Sequence, residues 1–201
     1  MNKSKILRSV LTAVLTLVAT TASAHDFEVD GIYYKYNVDG TVSVTYKGDS
    51  YSQYYNEYTG DVVIPSSVTY SGTTYSVTSI GYEAFNSCSG LTSVSIPNSV
   101  TSIGNHAFLY CSGLTSVTIG NSVTSIGGGA FLECSGLIRV DISSLEAWLG
   151  IKFAESSSNP LYYARYLYLN GEEVRDLGTA DISGWRGRNQ EYSVIFAPWN
   201  I

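Results

Sequence analysis

Apolar residues return along the middle of the chain with a fixed step. Leu91, Val94, Ile96, Val100 and Ile103 are followed by Ala107, Phe108 and Cys111, and the set recurs 23 residues later from Leu114 to Cys134. Residues 91–113 and 114–136 are identical at 18 of 23 positions, and residues 76–90 match 99–113 at 11 of 15. The spacing of Val94 and Ile96 predicts a strand with both side chains on one face. Pro97 ends it, because proline cannot donate to a ladder. Ala107, Phe108 and Cys111 stand at i, i+1 and i+4, which predicts one short helical turn over 104–111. Gly81, Gly104 and Gly127, with Gly90, Gly113 and Gly136, fall where tight corners ask for a permissive backbone. One such coil cannot bury its own apolar face, whereas stacked coils bury a continuous one. The expected fold is therefore an α/β, β-rich solenoid of about four coils over residues 61–174, each coil a short parallel strand plus a short helical turn.

The flanks break the period. Upstream, residues 27–29, 32–36 and 41–46 alternate as short strands around Asp30-Gly31 and Asp39-Gly40 turns, predicting a β-hairpin cap over 25–60. Residues 70–75 are extra to the repeat and read as a hairpin pushed out of one coil. Downstream, a half-repeat at 137–143 gives way to a variant coil, and Asn170-Gly171 predicts a hairpin between 166–169 and 172–174. Residues 175–201 carry two of the three tryptophans and no repeat signature. That tail is either a native cap or the mark of truncation or a frameshift.

The first 24 residues read as an address. Lys3, Lys5 and Arg8 precede an apolar run at 10–18, and Ala22-Ser23-Ala24 supplies the small residues of a cleavage site. The run is shorter than the ~20 residues of a membrane span. Export is expected, with no membrane insertion once the leader is gone. Cleavage would take three of the 11 basic residues and no acidic one, leaving 8 against 17. With that balance and no basic block, a nucleic-acid partner is excluded and anionic membrane surfaces are disfavoured.

Candidate chemistry is sparse. Cys88, Cys111 and Cys134 share one repeat position and should stack as buried thiols, with one bridge and an odd cysteine as the alternative. There is no C-x-x-C and no histidine pair for zinc. His106 occupies a variable position and is expected on the surface; neither it nor His25 has a nucleophile and carboxylate around it. The sequence thus calls for no catalytic, cofactor or metal residue. Outward strand positions are hydroxyl-bearing (Thr92, Ser93, Ser95, Thr115, Ser116, Thr118), and this face lacks a binding anchor until Arg139 and Asp141. Tyr51, Tyr54 and Tyr58 form a second candidate, a platform for stacking sugars.

The pattern L-x-x-V-x-I-P-x-S-V-x-x-I-G-x-x-A-F-x-x-C, as it stands at 91–111, resembles the BspA-like leucine-rich repeat of bacterial surface proteins. The resemblance runs over about 61–174 and takes in the variant stretch ISSLEAWLGIKF. It implies a secreted or cell-surface, non-enzymatic protein that binds a protein ligand, with adhesion to host or neighbouring cells as its use. It carries over no ligand-contacting residue, since the shared motif describes the core. The alternatives are a carbohydrate-binding module using the N-terminal tyrosines, or a fragment of a longer array. The ligand's identity and the oligomeric state are not legible in the sequence.

Overall fold

The computed structural model describes residues 24–50 and 56–174. Phe27–Val29 (β1), Ile32–Tyr36 (β2) and Val42–Thr45 (β3) form an antiparallel run, turned at Asp30-Gly31 and Gly40. Gly60–Val63 (β4) follows, then the antiparallel hairpin of Ser67–Tyr70 (β5) and Thr73–Ile80 (β6). The residues extra to the repeat do form that hairpin. Its Ser71-Gly72 turn has both residues in the left-handed region (φ 50° and 82°), as a two-residue hairpin turn requires.

Each regular coil then lays down two strands, not the single one that the spacing predicts. Leu91–Ser95 (β7) and Ser102–Ile103 (β8) belong to one coil, Ser116–Ile119 (β9) and Ser125–Ile126 (β10) to the next. The variant coil contributes Arg139–Ile142 (β11) and Lys152–Phe153 (β12), after which the chain adds one more rung to the smaller sheet, Tyr166–Leu169 (β13), and turns back as Glu172–Glu173 (β14). Two sheets result. The larger runs β1-β2-β3-β6-β8-β10-β12, with β5 paired to β6; the smaller runs β14-β13-β11-β9-β7-β4. Apart from the hairpins at each end, neighbouring strands are parallel, as stacked coils demand.

The predicted helical turn takes another form. In residues 104–111 the amides of His106, Phe108 and Tyr110 donate to Gly128, Ala130 and Leu132 of the next coil, while those of Leu109 and Cys111 close turns onto His106 and Phe108. A helix would need the amides of Phe108 to Cys111 for its own i−4 carbonyls. Alternate amides are instead spent between coils, and two left-handed residues, His106 (φ 57°) and Tyr110 (φ 60°), bend the chain through successive tight turns.

Between the sheets and turns lies one core of stacked ladders. Val62, Val94, Val117, Val140 and Leu167 are in register across the smaller sheet. Phe85, Phe108 and Phe131 stack face to face at 4.9 and 5.0 Å. The variant coil closes the array differently. Helix Leu145–Leu149 (α1), capped by the Ser144 hydroxyl accepting from the Ala147 amide, buries Trp148 edge-on to Phe153. The Phe131 amide donates to Ser157, so the irregular 156–162 segment takes the place of the next Ala-Phe turn.

Candidate functional site

Register fixes what the smaller sheet shows to solvent. One outward row reads Asp61, Ser93, Ser116, Arg139, Tyr166; the other reads Val63, Ser95, Thr118, Asp141, Tyr168. The middle of both rows is serine and threonine. Neighbouring hydroxyls bond within the coil stack: Thr115 Oγ1 donates to the Thr92 carbonyl at 3.0 Å, and Asp61 Oδ1 accepts from Thr92 and Ser93 at 2.7 and 2.6 Å. Those two bonds hold the Asp61 carboxyl below its ordinary range, so it stays ionised.

The C-terminal end of the face differs. Arg139 Nε and Nη2 donate to the two carboxylate oxygens of Asp141 at 2.6 and 2.5 Å. The guanidinium lies 3.7 Å above the Tyr168 ring, and Tyr166 stands 6.5 Å edge-on to Tyr168 with 40% of its surface exposed. Arg139 and Asp141, singled out in the sequence, are therefore brought together with two tyrosines that were not. Their signal was present: Y-L-Y-L at 166–169 alternates in register with R-V-D-I at 139–142. Beside this cluster, at the strand ends, a groove of about 400 Å³ is lined by Pro97, Asn98, Thr118, Asp141, Ser143 and Asn170. The polar groups in its wall are largely committed, with Asn98 Oδ1 accepting from the Asn121 amide and Asn121 Oδ1 from the Ser143 hydroxyl. Such an arrangement offers stacking surface, a fixed ion pair and a shallow groove.

Of the three tyrosines named as a sugar platform, only Tyr58 is described. Tyr51 and Tyr54 lie outside the described residues. Tyr58 is 3% exposed, packs on Phe85 at 4.5 Å, accepts from the Tyr33 amide and donates to the Thr45 carbonyl at 2.6 Å. Its ring is core, not a face for sugar, and burial pushes its hydroxyl well up.

All three cysteines are free and buried. Cys111 and Cys134 donate to the carbonyls of Phe85 and Phe108 in the preceding coil at 3.0 Å each. Burial raises Cys88 and Cys134 to about 12 and pushes Cys111 well above the ordinary thiol value. His106, expected on the open surface, is half-exposed; its Nδ1 is 4.0 Å from Glu83, whose own burial raises its carboxyl. Glu83 is buried although His106, at the same repeat position and with the same left-handed backbone (φ 56° and 57°), is half-exposed. Among the described residues no group of three or more His, Cys, Asp or Glu could hold a metal ion. No described helix is long and apolar enough to cross a membrane.

Parallel ladders on two sheets, joined by Ala-Phe turns at a constant period, define a leucine-rich-repeat solenoid. The chain belongs to the family described as the BspA type leucine rich repeat region, which matches residues 50–158 in six copies. Two solved structures are similar: a leucine-rich repeat protein from Bacteroides ovatus (35% identity, 64% of this chain, TM-score 0.50) and one from Bacteroides capillosus (28% identity, 71% of this chain and 96% of that one, TM-score 0.54). A leucine rich cell surface protein from Faecalibacterium prausnitzii is 24% identical over 73% of this chain and 43% of that one, with a TM-score of 0.46. The chain spans about a third of the Bacteroides ovatus protein, 34% of its length. No curated protein matches it.

Proposed function

We propose that this chain is an exported, non-enzymatic interaction module that holds a protein partner on the outward face of its smaller sheet, in adhesion to host or neighbouring cells. The observation that carries the reading is the cluster of Arg139, Asp141, Tyr166 and Tyr168 at one end of a face otherwise made of small hydroxyl side chains. Arginine and tyrosine are the residue types that anchor protein interfaces, and here a salt bridge and a stacked ring already hold the guanidinium in place. The leader at 1–24 supports export, and β1, β2 and β3 serve as the cap that continues the larger sheet.

The test uses beads coated with the chain after leader removal, presented to epithelial cells and to bacterial cells. Adhesion should fall at least tenfold when the target surface is treated with protease, and survive periodate oxidation of its glycans. Adhesion that resists protease and is lost with periodate would replace the protein partner with a carbohydrate.

A further inference from the structure

The two sheets end differently on their N-terminal side. The larger is continued by β3, β2 and β1, whereas the smaller stops at β4, which among the described residues pairs with β7 alone. The Gly60 and Ile64 amides donate to Gly90 and Ser95 of the β7 side. Alternation along a strand then directs the N–H and C=O of Asp61 and Val63 to the open side. An unpaired row of this kind is a template for a further strand, and proteins blunt such edges with charge or cover.

Here the blunting is incomplete. Asp61 is the charged residue on this strand, but its carboxylate is folded back over β7 onto Thr92 and Ser93 and does not cross the edge. Val63, next along, is 71% exposed. Beside the edge is a cavity of about 280 Å³, lined by Asp30, Ile32, Glu57, Asp61 and Val63 among others.

We propose that the open edge of β4 takes up, as an added strand, an extended segment of a protein partner that carries basic residues at alternate positions. Backbone pairing to Asp61 and Val63 supplies the binding, an apolar side chain covers Val63 on the outward face, and the basic side chains, alternating to the other face, meet Asp30 at the cavity. Asp30 on this rim argues against a second copy of this chain, because two apposed edges would bring like charges together. This edge lies at the opposite end of the smaller sheet from the Arg139 and Tyr168 cluster, and neither site depends on the other.

The experiment is an amide NMR titration of the leaderless chain with acetyl-Lys-Val-Lys-Val-Lys-Val-amide. Saturable shifts should centre on Asp61 and Val63, with their amide exchange slowed at least tenfold. Two controls leave the protein untouched: the same peptide N-methylated at alternate residues, and its Glu-Val counterpart. Both should bind at least tenfold more weakly. V63P, which removes an outward N–H without touching the β7 ladder, should abolish the shifts, and D30N should weaken binding several-fold. Equal binding of the N-methylated peptide, or no shift at Asp61 and Val63 up to millimolar peptide, would overturn the proposal.

Discussion

Coil spacing is set at single glycines. A Cβ on Gly113 would run into the Ser89 carbonyl oxygen of the preceding coil, and one on Gly136 into that of Ser112. At Gly104 it would meet the Gly81 carbonyl carbon at 2.7 Å. None of these three has a positive φ; the left-handed repeat positions are taken by Glu83, His106 and Gly129, and by Ser87, Tyr110 and Glu133. The sequence marks the right glycines and suggests the wrong cause. A repeated glycine looks the same whether it serves a turn or a close approach, because the approaching backbone lies 23 residues away. G113A should therefore destabilise by about 1–3 kcal/mol, the range for overpacking, in a denaturant titration. A change below about 0.5 kcal/mol would mean that the coils separate easily there. Tyr58 teaches the converse. Nothing in its neighbours' composition distinguishes a ring on a platform from one under the sheet, and its two backbone bonds, to Tyr33 and Thr45, come from residues distant in sequence.

The elements follow from what the period makes the backbone do. Strand β7, its inward Val94 and its stop before Pro97 are legible from alternation alone. The second strand is not, since Ser102 and Ile103 form a ladder only because Ser79 and Ser125 lie beside them in neighbouring coils. The Ala-Phe turn fails to become a helix for the same reason, its amides having partners one coil away. Cysteine is part of this element: each of Cys111 and Cys134 donates its thiol backwards to a phenylalanine carbonyl, in an apolar ladder. Burial that raises Cys88 and Cys134 to about 12, and Cys111 well above its ordinary value, leaves almost no thiolate at pH 8. Folded protein should take up no Ellman's reagent over an hour at pH 8, and all three thiols should react in guanidinium. Rapid reaction of one thiol in the native state would show that the turn opens locally.

At the scale of the molecule, the acidic balance of the chain includes carboxyls that burial holds above their ordinary range, among them Glu57 and Glu83. Glu57 accepts from the Lys47 amide at 2.9 Å, yet burial raises its carboxyl to about 7 from an ordinary 4.5. Between those values the folded chain keeps a proton that the unfolded chain has released, so this contribution is full below about pH 4.5 and is lost as pH rises through 7. Glu83, also raised by burial, acts in the same direction. The thermal midpoint should fall from pH 5 to pH 7.5, and E57Q should flatten that slope. A midpoint that rises across this window would refute the assignment.

The solenoid's inward half was readable from its period, while its outward half depends on which residues the register aligns. Asp61 and Tyr166 stand 105 residues apart in the chain but share one row of the face. The central claim is that this face binds at its arginine and tyrosine end. The most direct measurement compares two sets of variants in the bead adhesion assay, after thermal unfolding has shown both to be folded. R139A with Y168A should reduce adhesion at least tenfold, while alanine at Thr92, Ser95, Thr115 and Thr118 together should leave it within twofold. Unchanged adhesion in the first set, or a large loss in the second, would contradict the account.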